Sequence, residues 1–526
     1  TLNYDGFGYN TAVGFNAGQS ATTGTLNTLM GGLAGDAITS GNSNVAIGYD
    51  SLSADTQGDR NVAVGLQALK AQNFTTSTDS YNTAVGYGAG LSVTTGINNV
   101  LIGGLAGDAI TTGGANTAIG KSALTDNSTG SNNVAVGENA LANNTTASQN
   151  TAVGQNALLT STTATNNVAV GHDSLRLATT GGNNTAVGLD ALRSNTVGSG
   201  NVAVGYESGD AVTEGNDNVA VGQTALSADT LGSNSVAVGG AALQKQNFTT
   251  ATNVYNTAVG RSAGKEITTG VENTLIGGLS GDSLTTGMKN VAVGYNSLGA
   301  ATTSERNTAI GYGSLSANTT GDNNTALGYN ALATNVDGDR NTAVGSGALQ
   351  TMEPSAGDTY NTAVGYTAGT AITTGISNTL IGALAGDAIT TGTRNTAVGI
   401  SALSGDTLGS KAVAIGRNAL LAQNFTTATD NYNVAVGDSA GGAVTTGIQN
   451  TIVGGLAGDA LTDADYNVAI GYAALGSDTL GSRNVAIGRN ALISQNFTTA
   501  TAANNTAVGY EAGRSTTTGI DNVLYG

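Results

Sequence analysis

The five-residue string Asn-Thr/Val-Ala-Val-Gly, with modest variation, recurs 30 times, from Asn10-Thr11-Ala12-Val13-Gly14 to the copy that opens at Asn522. Successive copies lie 17 residues apart, except for four steps of 21 (starting at Asn61, Ser235, Ala412 and Asn484) and one of 20 (starting at Asn341). A coil this short cannot bury a core by itself, so stacked neighbours must supply it. The repeat therefore points to an all-β parallel β-solenoid of about 30 rungs of 17 residues, running as one continuous domain over 1–526.

Take the opening Asn as position zero. Thr/Val, Ala and Val/Ile then alternate as a strand, with the first and third on one face and Ala on the other. β-Branched residues suit a pleated surface and disfavour helix. Gly at plus four marks a kink, a second apolar pair follows at plus seven and eight (Ala68-Leu69, Ala331-Leu332), and Gly recurs near plus fourteen (Gly96, Gly287). The expectation is two short strands and two Gly turns per rung, with no room for helix. Stacked at about 4.8 Å, the rungs would form a rod of about 140 Å. Valines would line the interior, and the asparagines would form a ladder along the axis. The small Ala face would then suit close approach of a second chain, hence a homotrimer.

A longer rhythm overlies this one. The rungs starting at Asn10, Asn82, Asn256, Asn361, Asn433 and Asn505, among others, carry Ala-Gly in place of Ala-Leu at plus seven and eight. Five complete rungs replace Ala at plus two by Leu29, Leu101, Leu275, Leu380 or Ile452, and each has a tiny residue at plus five: Gly32, Gly104, Gly278, Ala383 or Gly455. That pairing reads as volume compensation in a packed interior. The 21-residue steps each contain Gln-Asn-Phe-Thr-Thr, so Phe74, Phe248, Phe425 and Phe497 are the candidate contact residues of four bulging loops. The alternative role for these rings is to plug the space left at Gly90, Gly264, Gly441 and Gly513 of the next rung. Pro354 falls in the 20-residue step.

Composition narrows the function. Only 10% of residues are charged and 80 of 526 are Gly, which suits a polar-surfaced repeat. The net charge of −18 argues against nucleic acid as a partner. There is no Cys, hence no disulfide or thiolate metal site, and no apolar run long enough for a membrane span. No catalytic residue, cofactor site or metal site is assigned. The single histidine, His172, occupies a variable surface slot at plus five. Gly-Gly-Leu-Ala-Gly-Asp (Gly31 to Asp36, Gly103 to Asp108, Gly454 to Asp459) has the wrong Asp spacing for a calcium roll. Paired threonines such as Thr94-Thr95 precede a turn rather than lie on a strand, which argues against an ice-binding array. Tyrosines at plus five (among them Tyr295, Tyr312 and Tyr329) could bind sugar or cover a neighbouring chain.

Asn234-Ser235-Val236-Ala237-Val238-Gly239 and the commoner Asn-Thr-Ala-Val-Gly resemble the head repeats of YadA-like trimeric autotransporter adhesins over essentially the whole chain. The resemblance implies a left-handed parallel β-roll, three chains about one axis, displayed outside a bacterial cell and binding surface glycans or matrix. The repeats are also similar to those of bacteriophage tail fibres. The expected function is a non-catalytic fibre or adhesin shaft, extracellular or at the cell surface. The alternative is a virion fibre that binds host-surface glycans. Because the chain starts and stops within the pattern, it is expected to be a segment of a longer fibre.

Overall fold

The computed structural model describes residues 8–354 and 357–526, which group into two compact units, Thr1–Ser262 and Ala263–Gly526. Each unit contains fifteen three-residue strands, Thr11–Val13 to Thr257–Val259 in the first and Thr274–Ile276 to Val523–Tyr525 in the second. Within each unit these strands form one parallel sheet in unbroken register. Val134, Ala135 and Val136 pair with Thr151, Ala152 and Val153, and Val291 pairs with Thr308. The long steps keep this register: Val62 pairs with Thr83, and Thr342 with Thr362. Their extra residues leave the rung as a bulge closed by a second, two-residue parallel pair, such as Gly58–Asp59 with Thr78–Asp79. No helix occurs among the described residues.

The faces are the reverse of the expected ones. Ala at plus two is fully buried (Ala46, Ala135, Ala309), while the residues on either side of it point outwards, some well exposed (Val13, Ile47, Val168). Alternation identifies two faces but not which is inner. A 17-residue coil is too thin to hold a branched column opposite the Leu column at plus eight, so the methyl goes in. The small face expected to meet another chain is thus the core.

Apart from the ten two-residue strands at the bulges, only one strand forms per rung among the described residues. The second apolar pair lies in a turn, because plus six and plus eight are both left-handed: Gln67 has φ 60° and Leu69 φ 49°. No strand accommodates that alternation. The turn still bonds from rung to rung, as when Leu69 N donates to Ala89 O at 3.0 Å. Gly at plus four is required outright. Gly137 has φ 133°, and a Cβ there would sit 2.6 Å from the Gly154 carbonyl oxygen.

Core volume is balanced between plus two, plus eight and plus eleven, not plus five. Plus five is a surface position, and a Cβ on Gly104 would meet nothing within 4 Å. A Cβ on Gly107, at plus eight of the same rung, would lie 2.8 Å from both Leu101 Cδ2 and Ile110 Cδ1. Where Leu gives way to Gly at plus eight, aliphatic side chains from plus two and plus eleven fill the space.

The asparagine ladder forms, chiefly through the backbone. Asn44 N donates to Asn27 Oδ1 at 2.9 Å, and Asn44 Nδ2 donates to Gly58 O at 2.8 Å. In the 17-residue rungs such a buried carboxamide joins the next rung to its own closing turn, while at the long steps Asn61, Asn341 and Asn484 turn Nδ2 to the Oδ1 of the rung before. Ser235 and Ala412 keep the incoming bond, their N–H donating to Asn218 and Asn395 at 2.9 Å. Ala412 cannot pass it on, and Asn431 supplies the missing acceptor to Asn433 N at 2.9 Å.

Candidate functional site

The four 21-residue bulges are built to one plan around an aspartate that sequence reading did not single out. In the first, Asp55 lies at plus eleven of the preceding rung. Gln72 Nε2 donates to its Oδ2 at 2.6 Å, and the N–H groups of Gly58 and Phe74 donate to Oδ1 at 3.0 and 3.1 Å. Gln72 Oε1 in turn accepts from Asn82 Nδ2 at 2.8 Å, tying the bulge to the ladder. The same set recurs as Asp229–Gln246–Phe248, Asp406–Gln423–Phe425 and Asp478–Gln495–Phe497, each with a Gln-to-Asp distance of 2.6 Å. Burial pushes the carboxyls of Asp55, Asp229 and Asp406 above the ordinary range, against the lowering effect of these donors. The signal that could have revealed the set was present: Asp stands 17 residues before Gln in all four cases.

The candidate contact residues Phe74, Phe248, Phe425 and Phe497 are only 5–7% exposed, so their rings are structural anchors. They are not plugs for the next rung. At Gly90 the space is taken by Leu101, Leu69 and Val93, and at Gly441 by Ile452, Leu420 and Val444. Phe497 instead lies against Gly481, at the turn of the rung before. What the bulges expose is polar: Asn73, Thr75 and Thr76 in the first, with equivalents in the other three. Beside the first and third bulges, a cation pairs with an acid and covers the closing tyrosine. Arg60 meets Asp79 and Tyr81, and Lys411 meets Asp430 and Tyr432.

Other candidates carry less chemistry. Tyr295, Tyr312 and Tyr329 stack along the second unit with centroids 5.6 and 5.5 Å apart, so their faces meet each other. Among the described residues, the one group of three or more ligating side chains is His172, Asp173 and Asp190. Arg176 already lies 3.3 Å from Asp173, and Arg193 lies 4.0 Å from Asp190, so the carboxylates are countered without a metal. Asp36 and Asp108 of the Gly-Asp motifs belong to no such group. Asp210, in the same slot, is pushed up to about 6 by burial and then by Glu207, with Asp190 adding to the effect and Arg193 opposing it. Its inner oxygen, Oδ1, is buried without a partner. No helix of the described residues is long and apolar enough to cross a membrane.

Compared with known proteins, the chain matches no family model and no curated protein sequence.

Proposed function

We propose that this chain is the shaft of an extracellular, adhesin-type fibre, assembled as a homotrimer through the outer face of its sheets. One observation carries the reading. Plus one is Thr or Val in every rung, plus three is aliphatic in every rung but the last, and neither column holds a charge, although the chain carries −18 elsewhere. Fifteen strands at about 4.8 Å spacing, each about 10 Å long, give a face of about 700 Å² per unit. Its plus-three column forms an apolar stripe and its plus-one column mixes Thr with Val, an uncharged surface suited to burial against a partner. A partner matching this face along its length needs the same rung period, which another copy of the chain has.

Light scattering tests the assembly. The full chain is expected at three times 51.4 kDa. The double substitution Val153→Lys, Val170→Lys, which leaves every inward side chain in place, is expected to shift the population towards single chains. A mass of 51.4 kDa for the unsubstituted chain at micromolar concentration would refute self-assembly. A second reading, a binding module for glycans, draws on the stacked tyrosines. A glycan array probed with the full chain and with Tyr312→Ala separates it from a pure spacer.

A further inference from the structure

All four 21-residue bulges carry the tripeptide Asn-Phe-Thr, at 73–75, 247–249, 424–426 and 496–498. Asn-x-Ser/Thr is the acceptor pattern for N-linked sugar. Burial alternates identically along each bulge: Gln in, Asn out, Phe in, Thr out. The anchored Phe therefore turns the Asn and the Thr, the two residues a transferase must read, to solvent together.

The carboxamide is also oriented. The hydroxyl of Thr56 lies 3.0 Å from Asn73 Oδ1, and the matching contacts at Thr230–Asn247, Thr407–Asn424 and Thr479–Asn496 measure 3.1, 2.9 and 3.2 Å. Packing does not account for the pattern. The Thr56 hydroxyl already has the Phe74 carbonyl at 2.8 Å, and satisfying it does not call for a Thr two residues after the Asn.

We propose that Asn73, Asn247, Asn424 and Asn496 are attachment sites for N-linked sugar, modified on the folded chain. The co-substrate is a sugar activated on a nucleoside diphosphate or lipid pyrophosphate, and a sequon-reading glycosyltransferase delivers it. Nδ2 forms a bond to the anomeric carbon as the bond from that carbon to the diphosphate oxygen breaks. The diphosphate leaves with the electron pair, and one amide proton passes to a base of the transferase.

The chain holds its own controls. Seven further asparagines open the same pattern: Asn143, Asn183, Asn323 and Asn504 are exposed but lack the following Phe anchor, while Asn127, Asn144 and Asn318 are buried, their Nδ2 atoms donating to the carbonyls of Gly130, Ala147 and Gly321 at 2.9, 3.0 and 2.9 Å. The folded full chain is incubated with UDP-glucose and a soluble N-glucosyltransferase that reads Asn-x-Ser/Thr, and sites are mapped by mass spectrometry. Hexose is expected on the four bulge asparagines and on none of the three buried ones. Thr249→Ala is expected to remove the addition at Asn247 alone, with the circular dichroism spectrum unchanged. Bulge sites left bare while the denatured chain accepts sugar would overturn the proposal. So would equal occupancy of buried and bulge sites in the folded chain, or retained occupancy at Asn247 in Thr249→Ala.

Discussion

At Asp229–Gln246–Phe248 the bulge is held by a carboxylate with three donors, whereas at Asn335–Met352–Pro354 the same three positions hold no charge. The second set belongs to the 20-residue step, and every change in it follows from the others. Pro354 sits over Gly338 as Phe497 sits over Gly481, so the anchoring contact survives. Proline has no N–H to give and the Met352 thioether cannot donate, so a carboxylate here would lose two of its three donors. Asn335 carries no charge to leave unpaired. Its Nδ2 turns to Gly338 O at 3.0 Å, and its Oδ1 remains the one unpartnered atom. The three residues act as a unit, and swapping one alone is the costly move.

The largest effect is expected from removing the anchor. Phe248→Ala should lower the local opening free energy of its bulge by about 3–5 kcal/mol, as for other buried aromatic truncations. Hydrogen exchange at the Val254 amide, which bonds Ser233 O at 2.9 Å, reports it. Unchanged protection there would show that the ring anchors nothing.

Next comes a direct attempt to convert one bulge type into the other. Asp229→Asn alone should cost about 2 kcal/mol, because both carboxylate oxygens accept bonds and an amide NH2 in place of one of them would face an N–H donor unpaired. Adding Gln246→Met and Phe248→Pro should recover much of that loss. Strictly additive penalties in the triple variant would mean the positions are not coupled.

A smaller effect, of opposite sign, separates a satisfied buried acid from an unsatisfied one. Asp210 has its folded value raised to about 6 from 3.8, so its ionised form is disfavoured in the fold at neutral pH. That penalty fades as pH falls through 6 and is gone below 3.8. Asp210→Asn should therefore stabilise the first unit at pH 7 and make no difference below 3.8, the reverse of Asp229→Asn at neutral pH. Thermal melts of both variants across that range decide it, and a destabilised Asp210→Asn at pH 7 would contradict the assignment.

The smallest effect concerns Gly104. Because its slot faces open solvent, Gly104→Tyr should shift stability by no more than about 0.5 kcal/mol, while Gly107→Ala, whose Cβ would strike Leu101 and Ile110, should be clearly destabilising. A large loss for Gly104→Tyr would restore plus five to the core.

Much of this molecule was legible in its sequence because a period is a topological statement. Thirty copies of one string determined the rungs, their parallel pairing, their register across the long steps and the asparagine ladder. All of these follow from equivalent residues stacking on one another. Tertiary structure alone decided which way each column points. Thr-Ala-Val alternates identically whether Val or Ala is inside, and only the narrow interior opposite Leu69 and its equivalents chose the methyl. It also decided that Ala68-Leu69 is a turn, since left-handed backbone at a leucine leaves no mark in composition. The bulges divide in the same way: their length and Phe were visible along the chain, but Asp55 and Gln72 meet only because one rung lies on the next.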